Sequence, residues 1–272
     1  LIPMAAAGDW YILVYAFNVS VPGSYTLVAQ TVPITLSSAT PDRHGNSADA
    51  VLSLIGAGFV GGTTVELVGG GVYPASSVSV DSFTRITATF ASNTIPAGTY
   101  SVRVVQPGGA STALPDAFTA VGGGSARLRT DLIVPAFVGR QAAASVYVEY
   151  ANDGEVAMPA PLLVVRGSDN ALMRLANHLD WCGTAWLYMK KPASLQYKDI
   201  VQFLACGQTP GLLQPGEVNR VELQYIGLDE PWDMNKWDVQ FDLGVLTADS
   251  TNIADWASIG SEMRPETIGV DA

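Results

Sequence analysis

The longest regular pattern in the chain is an alternation of apolar and polar residues between Ile34 and Val121. Val65 and Leu67, then Ile86, Ala88 and Phe90, then Tyr100, Val102 and Val104 fall on one side of a period of two. Glu66, Thr87, Thr89, Ser101 and Arg103 fall on the other. That period predicts antiparallel strands with one face on a core. Turns separate them at Gly56-Ala57-Gly58, Gly61-Gly62, Gly69-Gly70-Gly71, Pro96-Ala97-Gly98 and Pro107-Gly108-Gly109. Together these segments predict a β-sandwich over residues 33–121.

A second zone follows Gly122-Gly123-Gly124, a triplet expected to act as an interdomain hinge. Strands are predicted at 128–134, 144–150, 162–165, 200–205 and 220–226, with Val146, Val148 and Tyr150 sharing one face and Val221, Leu223 and Tyr225 another. They predict a second sandwich over 125–228. Residues 1–31 predict two strands, 10–17 and 24–30. Such a hairpin is marginal alone. Its apolar side chains are expected to dock on the central sandwich or to pair with a neighbouring copy. At the other end Trp232, Trp237 and Phe241 stand at helical spacing, as do Ile253, Trp256, Ile259 and Met263. Asn252 with Asp255 resembles a capping box and Pro265 forbids continuation, so 229–272 is expected to be partly helical. The predicted fold class is all-β: tandem immunoglobulin-like sandwiches with a short helical C-terminal segment.

Three stretches resemble known families. "LSLIGAGFVGGTTVEL", "ITATF", "IPAGTYSVRVVQPGGAST" and "DAFTAV" are similar in order to an IPT/TIG domain. The family's G-x-G-F turn matches Gly56, Gly58 and Phe59; its G-T-Y strand start matches Gly98, Thr99 and Tyr100; its closing A-F matches Ala117 and Phe118. The resemblance implies an immunoglobulin-like fold and an extracellular, multidomain setting. "AGDWYILVYAF" and "GSYTLVAQ" resemble the end of a bacterial pre-peptidase C-terminal β-sandwich, which implies that residues 1–31 are the terminal strands of a truncated sandwich, and "VYVEYANDGEVAMPAPLLVV" with "LLQPGEVNRVELQY" resembles CARDB-type adhesion repeats.

Composition narrows the partners. The chain has 272 residues, 48% of them hydrophobic and 14% charged, with 27 glycines and 16 prolines, which suits turn-rich β structure. No apolar run approaches the roughly 18 residues that span a bilayer. The opening Leu1-Ile2-Pro3-Met4 lacks the basic start of a signal peptide, and the chain is expected to be a piece of something longer. From residue 229 onward ten carboxylates face Lys236 and Arg264, which accounts for −8 of the net −11. That charge disfavours nucleic acid. Calcium is a candidate partner for this acidic segment and for the 42–49 loop, against ordinary solvation.

Few residues offer chemistry. His178, Asp180 and Cys182 lie close along the chain, but catalytic pairs are assembled by the fold rather than by proximity in sequence. The motifs GxSxG, HExxH and CxxC are missing, so no catalytic, cofactor or metal residue is assigned and no enzymatic activity is expected. The loop from Pro41 through His44 to Asp49 carries oxygen donors without the dense alternation of an EF-hand. Cys182 and Cys206 are the only cysteines: a candidate disulfide in an exported protein, or two buried thiols. Asn18-Val19-Ser20 fits a glycosylation sequon, a triplet that also arises by chance.

Two functions follow. The first is a spacer or adhesive stalk of a bacterial cell-surface or secreted protein, whose partners are the other domains of a longer chain and a glycan or protein ligand. The second is an accessory, carbohydrate-binding region of a secreted hydrolase. A solvent-exposed row of Trp or Tyr on one sheet face favours the second, and buried aromatics favour the first.

Overall fold

The computed structural model describes residues 34–138, 142–168, 171–176, 199–226 and 239–251, together with Tyr11 and Leu13. The strands of the first half are β1 (Thr35–Thr40), β2 (Arg43–Gly45), β3 (Ala50–Ala57), β4 (Thr64–Val68), β5 (Val72–Pro74), β6 (Ser77–Ser82), β7 (Arg85–Phe90), β8 (Gly98–Val105) and β9 (Ser111–Val121). Those of the second are β10 (Leu128–Ile133), β11 (Ala143–Asn152), β12 (Met158–Pro159), β13 (Leu162–Gly167), β14 (Leu172–Leu175), β15 (Ile200–Leu204), β16 (Leu212–Leu213), β17 (Val218–Ile226) and β18 (Phe241–Leu246). The chain divides into two compact units. The first comprises residues 1–42 and 51–120; the second comprises residues 43–50 and 121–272.

In the first sandwich one sheet runs β1-β3-β7-β6 and the other runs β2-β9-β8-β4-β5. The pairings β1–β3, β6–β7, β4–β5, β4–β8 and β8–β9 are antiparallel. The expected alternation is present. Val65, Leu67, Ile86, Ala88, Phe90, Tyr100, Val102 and Val104 are buried, joined by Leu52 and Leu54 of β3 and Phe118 of β9. On the outer face Glu66 sits opposite Arg103 in register and accepts from its Nε at 2.8 Å. Tyr100 packs edge-on to Tyr73 with ring centroids 5.5 Å apart, and its hydroxyl donates to the Pro96 carbonyl at 2.7 Å. Gly56 is required where β3 passes β1: a Cβ there would lie 2.1 Å from the Thr35 carbonyl oxygen and against the Phe59 ring.

The second unit pairs β10-β11-β17-β14 in one sheet and β15-β13-β18 in the other, with β12-β16 as a short ladder. Val146, Val148 and Tyr150 from β11 and Val221, Leu223 and Tyr225 from β17 meet Leu163 and Val165 of β13 and Val201 and Phe203 of β15 in one core. This is a two-layer sandwich, as expected. One difference from the sequence-based expectation stands out. Phe241 does not belong to a helix; it opens β18, which pairs with β13 from Phe241↔Gly167 to Leu246↔Leu162. Phe241, Leu243 and Val245 alternate, and all three pack on the core.

The remaining helical expectation, from Trp232 to Trp237 and from Asn252 onward, lies outside the described residues, as does most of the 1–31 hairpin. Tyr11 and Leu13 are exposed at 92% and 89% of their surface, so neither is docked on the central sandwich.

Core truncations test this architecture. Leu67→Ala and Leu223→Ala should each cost about 2–5 kcal/mol, while Val218→Ala, at an exposed site, should stay within about 0.5 kcal/mol. Urea unfolding midpoints measure all three, and equal shifts would contradict the assigned faces.

Candidate functional site

Three places in the second unit concentrate polar side chains. The first is the arm formed by residues 43–50. His44 on β2 is 1% exposed. Its Nε2 accepts from the Ala157 backbone N–H at 2.9 Å, and its Nδ1 lies 2.7 Å from the Gly45 carbonyl oxygen. A backbone N–H only donates, so Nε2 must offer a lone pair and the proton must sit on Nδ1. The ring is therefore neutral. Burial pulls its pKa below the ordinary histidine value, against the opposing effects of the Gly45 hydrogen bond and the Asp49 charge.

The rest of the arm is tied down in the same way. Gly45 N–H donates to the Glu155 carbonyl at 2.6 Å and Asn46 N–H to the Val121 carbonyl at 2.8 Å. Asn46 Oδ1 accepts from Gly123 N–H at 2.8 Å, and Ser47 Oγ donates to the Gly124 carbonyl at 2.8 Å. The oxygen donors that made 42–49 a calcium candidate are thus in part used in docking the arm. Among the described residues no group of three His, Cys, Asp or Glu side chains is placed to hold a metal ion.

The second place is the end of β11. Asn152 is fully buried and makes four hydrogen bonds with its side chain alone. Its Nδ2 donates to the carbonyls of Val156 at 2.8 Å and Leu213 at 3.1 Å. Its Oδ1 accepts from the N–H groups of Arg127 at 3.1 Å and Gly154 at 3.0 Å. Beside it Glu217 accepts from Gln208 N–H and Gln214 N–H at 2.9 and 2.7 Å. A Cβ on Gly207 would lie 1.6 Å from that carboxylate, which explains the glycine. Tyr150 donates its buried hydroxyl to the Cys206 carbonyl at 2.9 Å, and burial, with the Glu217 charge second, raises its pKa. Cys206 is buried and disulfide-bonded.

The third place is the outer face of the β10-β11-β17-β14 sheet. Tyr147 carries Arg220 over its ring, 5.2 Å from the centroid, and Arg220 Nε donates to Glu149 at 2.8 Å. Ser145 donates to Glu222 at 2.5 Å, and Arg174 Nε to Gln224 at 2.8 Å. The face is a ladder of cross-strand pairs.

His178, Asp180, Cys182 and the sequon at Asn18 lie outside the described residues. So do most carboxylates beyond 229; Asp242 of β18 and Asp249 are described. Asn152 and Glu217 were missed by sequence reasoning. Nothing in the spacing of Asn152-Asp153-Gly154 marks the asparagine amide as the partner of four backbone groups.

No family model and no curated protein sequence matches the chain. Among solved structures it is similar to SGBP-B from a complex xyloglucan utilization locus in Bacteroides uniformis, at 10% identity and a TM-score of 0.24 over 71% of each chain. It is similar also to a structure described under the promiscuous specificity of carbohydrate-binding modules from the β-sandwich superfamily. There the identity is 12% and the TM-score 0.20, over 79% of this chain and 95% of that one. A third is Dpr2 Ig1-Ig2 in complex with DIP-Theta Ig1-Ig3, at 7% identity and a TM-score of 0.22, over 79% and 65%. Likeness at this level carries no function to this chain.

Asn152→Asp keeps the shape and removes both donors, leaving two carbonyls facing a carboxylate. Each unpaired buried group costs about 1–3 kcal/mol, so both Asn152→Asp and Asn152→Ala should lower the melting temperature sharply. A calorimetric scan of either variant that overlays the parent would show that the amide does not hold this end of the unit.

Proposed function

We propose that this chain is a non-catalytic structural and interaction segment, a spacer or adhesive stalk, of a modular bacterial protein at the cell surface or outside the cell. The observation that carries this proposal is the placement of the aromatic side chains among the described residues. Phe59, Phe90, Tyr100, Phe118, Tyr150, Phe203 and Tyr225 are buried. Tyr147, on an outer sheet face, is covered by Arg220 rather than left open as a platform. Sugar rings stack on open aromatic faces, and the described sheet faces offer no row of them. The cross-strand pairs on those faces answer one another and leave few polar groups aimed at a ligand.

The IPT/TIG resemblance supports the same proposal for the first unit. Its motif residues do structural work there: Gly56 makes room for β1, Phe59 is core, and Tyr100 closes the Pro96 turn. A disulfide at Cys206 fits an oxidising compartment. Among the described residues no helix is long and apolar enough to cross a membrane.

The second proposal, a glycan-binding accessory region of a secreted hydrolase, has the pre-peptidase resemblance behind it; among the described sheet faces Tyr147 is its candidate platform, and Arg220 would have to swing away to free the ring. Affinity electrophoresis on xyloglucan, cellulose, chitin and starch gels separates the two. No retardation is expected. Retardation that Tyr147→Ala abolishes would replace the spacer with the glycan-binding module.

We further propose Cys182 as the partner of Cys206. A bridge between them would close a loop of about 25 residues, worth roughly 3 kcal/mol in the chain-entropy treatment. Non-reducing peptide mapping should recover the 182–206 cross-link in the monomer. A dimer that collapses on reduction would place the bridge between chains instead.

A further inference from the structure

Strand edges, unlike strand faces, keep backbone groups without ladder partners, and folded chains blunt them with bulges, brevity or charge. Two edge strands, β1 and β6, carry register shifts, at Leu36/Ser38 and Val80/Ser82. β2, β5 and β14 have three, three and four residues. β10 is longer and smoother. Its six residues, Leu128–Ile133, end the β10-β11-β17-β14 sheet in unbroken register with β11 and include no proline, glycine or lysine. One hydrogen bond fixes which of its backbone groups face outward. Asp153 N–H donates to the Arg127 carbonyl at 2.8 Å, one step before the Leu128↔Asn152 pair. Ladder bonds in an antiparallel pair fall on alternate residues. Arg129, Asp131 and Ile133 therefore bond to β11, and the N–H and C=O groups of Leu128, Thr130 and Leu132 point away from the sheet.

The outer face of this edge carries a charge left over. Arg129, Asp131 and Ile133 are exposed there, while Leu128 and Leu132 pack on the core. In register Asp131 stands opposite Glu149, a like charge, and Glu149 is already bonded to Arg220. Among the described residues Asp131 takes part in no ion pair. Arg129 Nε is held by Asp153 at 2.9 Å, but its side chain is 47% exposed and its two amino groups are further donors. One charge of each sign thus flanks Thr130, which makes the edge complementary to an antiparallel copy of itself. β18, a six-residue edge of the other sheet, carries Asp242 alone and has no such symmetry.

We propose that β10 is a self-association edge: β10 of a second copy of this chain adds antiparallel to it, with the twofold axis at Thr130. Thr130 then pairs with Thr130 of the second copy and Leu128 with Leu132 of the second copy, each pair exchanging two backbone bonds through the groups that point outward. The positions between them are the close, non-hydrogen-bonded pairs, and there Arg129 meets Asp131 of the second copy on both sides of the axis. Ile133, 37% exposed, falls opposite Arg127 of the second copy, whose aliphatic stem covers it. The charges also choose the register. A slip of two residues in either direction keeps the backbone bonds but sets Arg129 against Arg129 or Asp131 against Asp131, which is unfavourable. The pairing follows from the edge alone and holds for a spacer and for a glycan-binding module alike; in a stalk it would join neighbouring chains side by side.

Sedimentation velocity on the whole chain tests this at about 0.15 M salt, where charges more than about 8 Å apart are largely screened and the net −11 of each copy matters least. A contact this short belongs with weak, transient interfaces, so half-dimerisation is expected between about 1 µM and about 1 mM. Asp131→Arg and Arg129→Asp should each weaken self-association at least about tenfold, because each sets like charges across the axis. An equimolar mixture of the two variants should dimerise again, since every cross-axis pair is then of opposite sign. Amide exchange of the unmodified protein gives a readout that does not depend on a variant folding: protection at Leu128, Thr130 and Leu132 should rise with protein concentration, while Val148 in β11 stays protected throughout. A parent that remains monomeric up to about 1 mM would overturn the proposal. So would a dimer that Asp131→Arg leaves intact, a mixture of folded variants that fails to associate, or a dimer in which the Thr130 amide gains no protection.

Discussion

The central strands of these two sandwiches have a dry face, and register keeps it dry. Side chains alternate with a period of two, so a slip of one residue exchanges the faces completely. In β11 such a slip would put Val146, Val148 and Tyr150 into water and bring Tyr147 and Glu149 into the core. The burial of those three side chains, at roughly 1.5–3 kcal/mol each for the aliphatic ones, is what forbids it. Nine consecutive pairs between β11 and β17, from Ala143↔Ile226 to Ala151↔Val218, transmit that choice to the neighbouring strand. The outer-face pairs reinforce it weakly: Arg103–Glu66 and Arg220–Glu149 are solvent-accessible ion pairs, each worth between nothing and about 1 kcal/mol. They mark the register more than they hold it.

Closing the ends of a sandwich raises a different problem. Where strands stop, backbone groups lose their ladder partners while still buried. The second unit solves this with three side chains that imitate backbone: Asn152 supplies two donors and an acceptor oxygen, Glu217 supplies two acceptors, and His44 supplies one acceptor for Ala157. Gly207 leaves space for one of them, and Gly124 is in the left-handed region at φ 114° where the arm packs. These residues are as much a part of the fold as the apolar core, because a buried group left unpaired costs about as much as losing a core methylene or two.

This division explains what could be read from the chain alone. Strand alternation is a local property, and Val65 to Val104 displayed it without ambiguity. The segment around Phe241 displayed two patterns at once. With Trp232 and Trp237 it fits a helical spacing, and with Leu243 and Val245 it fits a strand. Pairing with β13 settles the matter, and β13 is some 75 residues earlier, too distant for any window of sequence to include. The roles of His44 and Asn152 were illegible for the same reason. His44 meets Ala157 across 113 positions, and Asn152 meets Leu213 across 61. Their partners are backbone atoms, which every residue possesses and no motif advertises.

The same distribution of tasks limits where recognition can occur. A sheet face whose polar groups are already matched in pairs presents little unsatisfied hydrogen-bonding capacity to a ligand. A partner would have to break Arg220 from Glu149 and from Tyr147 to gain the ring, and would recover at most what those contacts supply. Loops and arms are not bound in this way, since their side chains are not required by a ladder and their positions tolerate change. The 43–50 segment is held mostly by backbone groups, with His44 adding one acceptor for Ala157 N–H. A face of paired charges, by contrast, yields only to salt, and gradually.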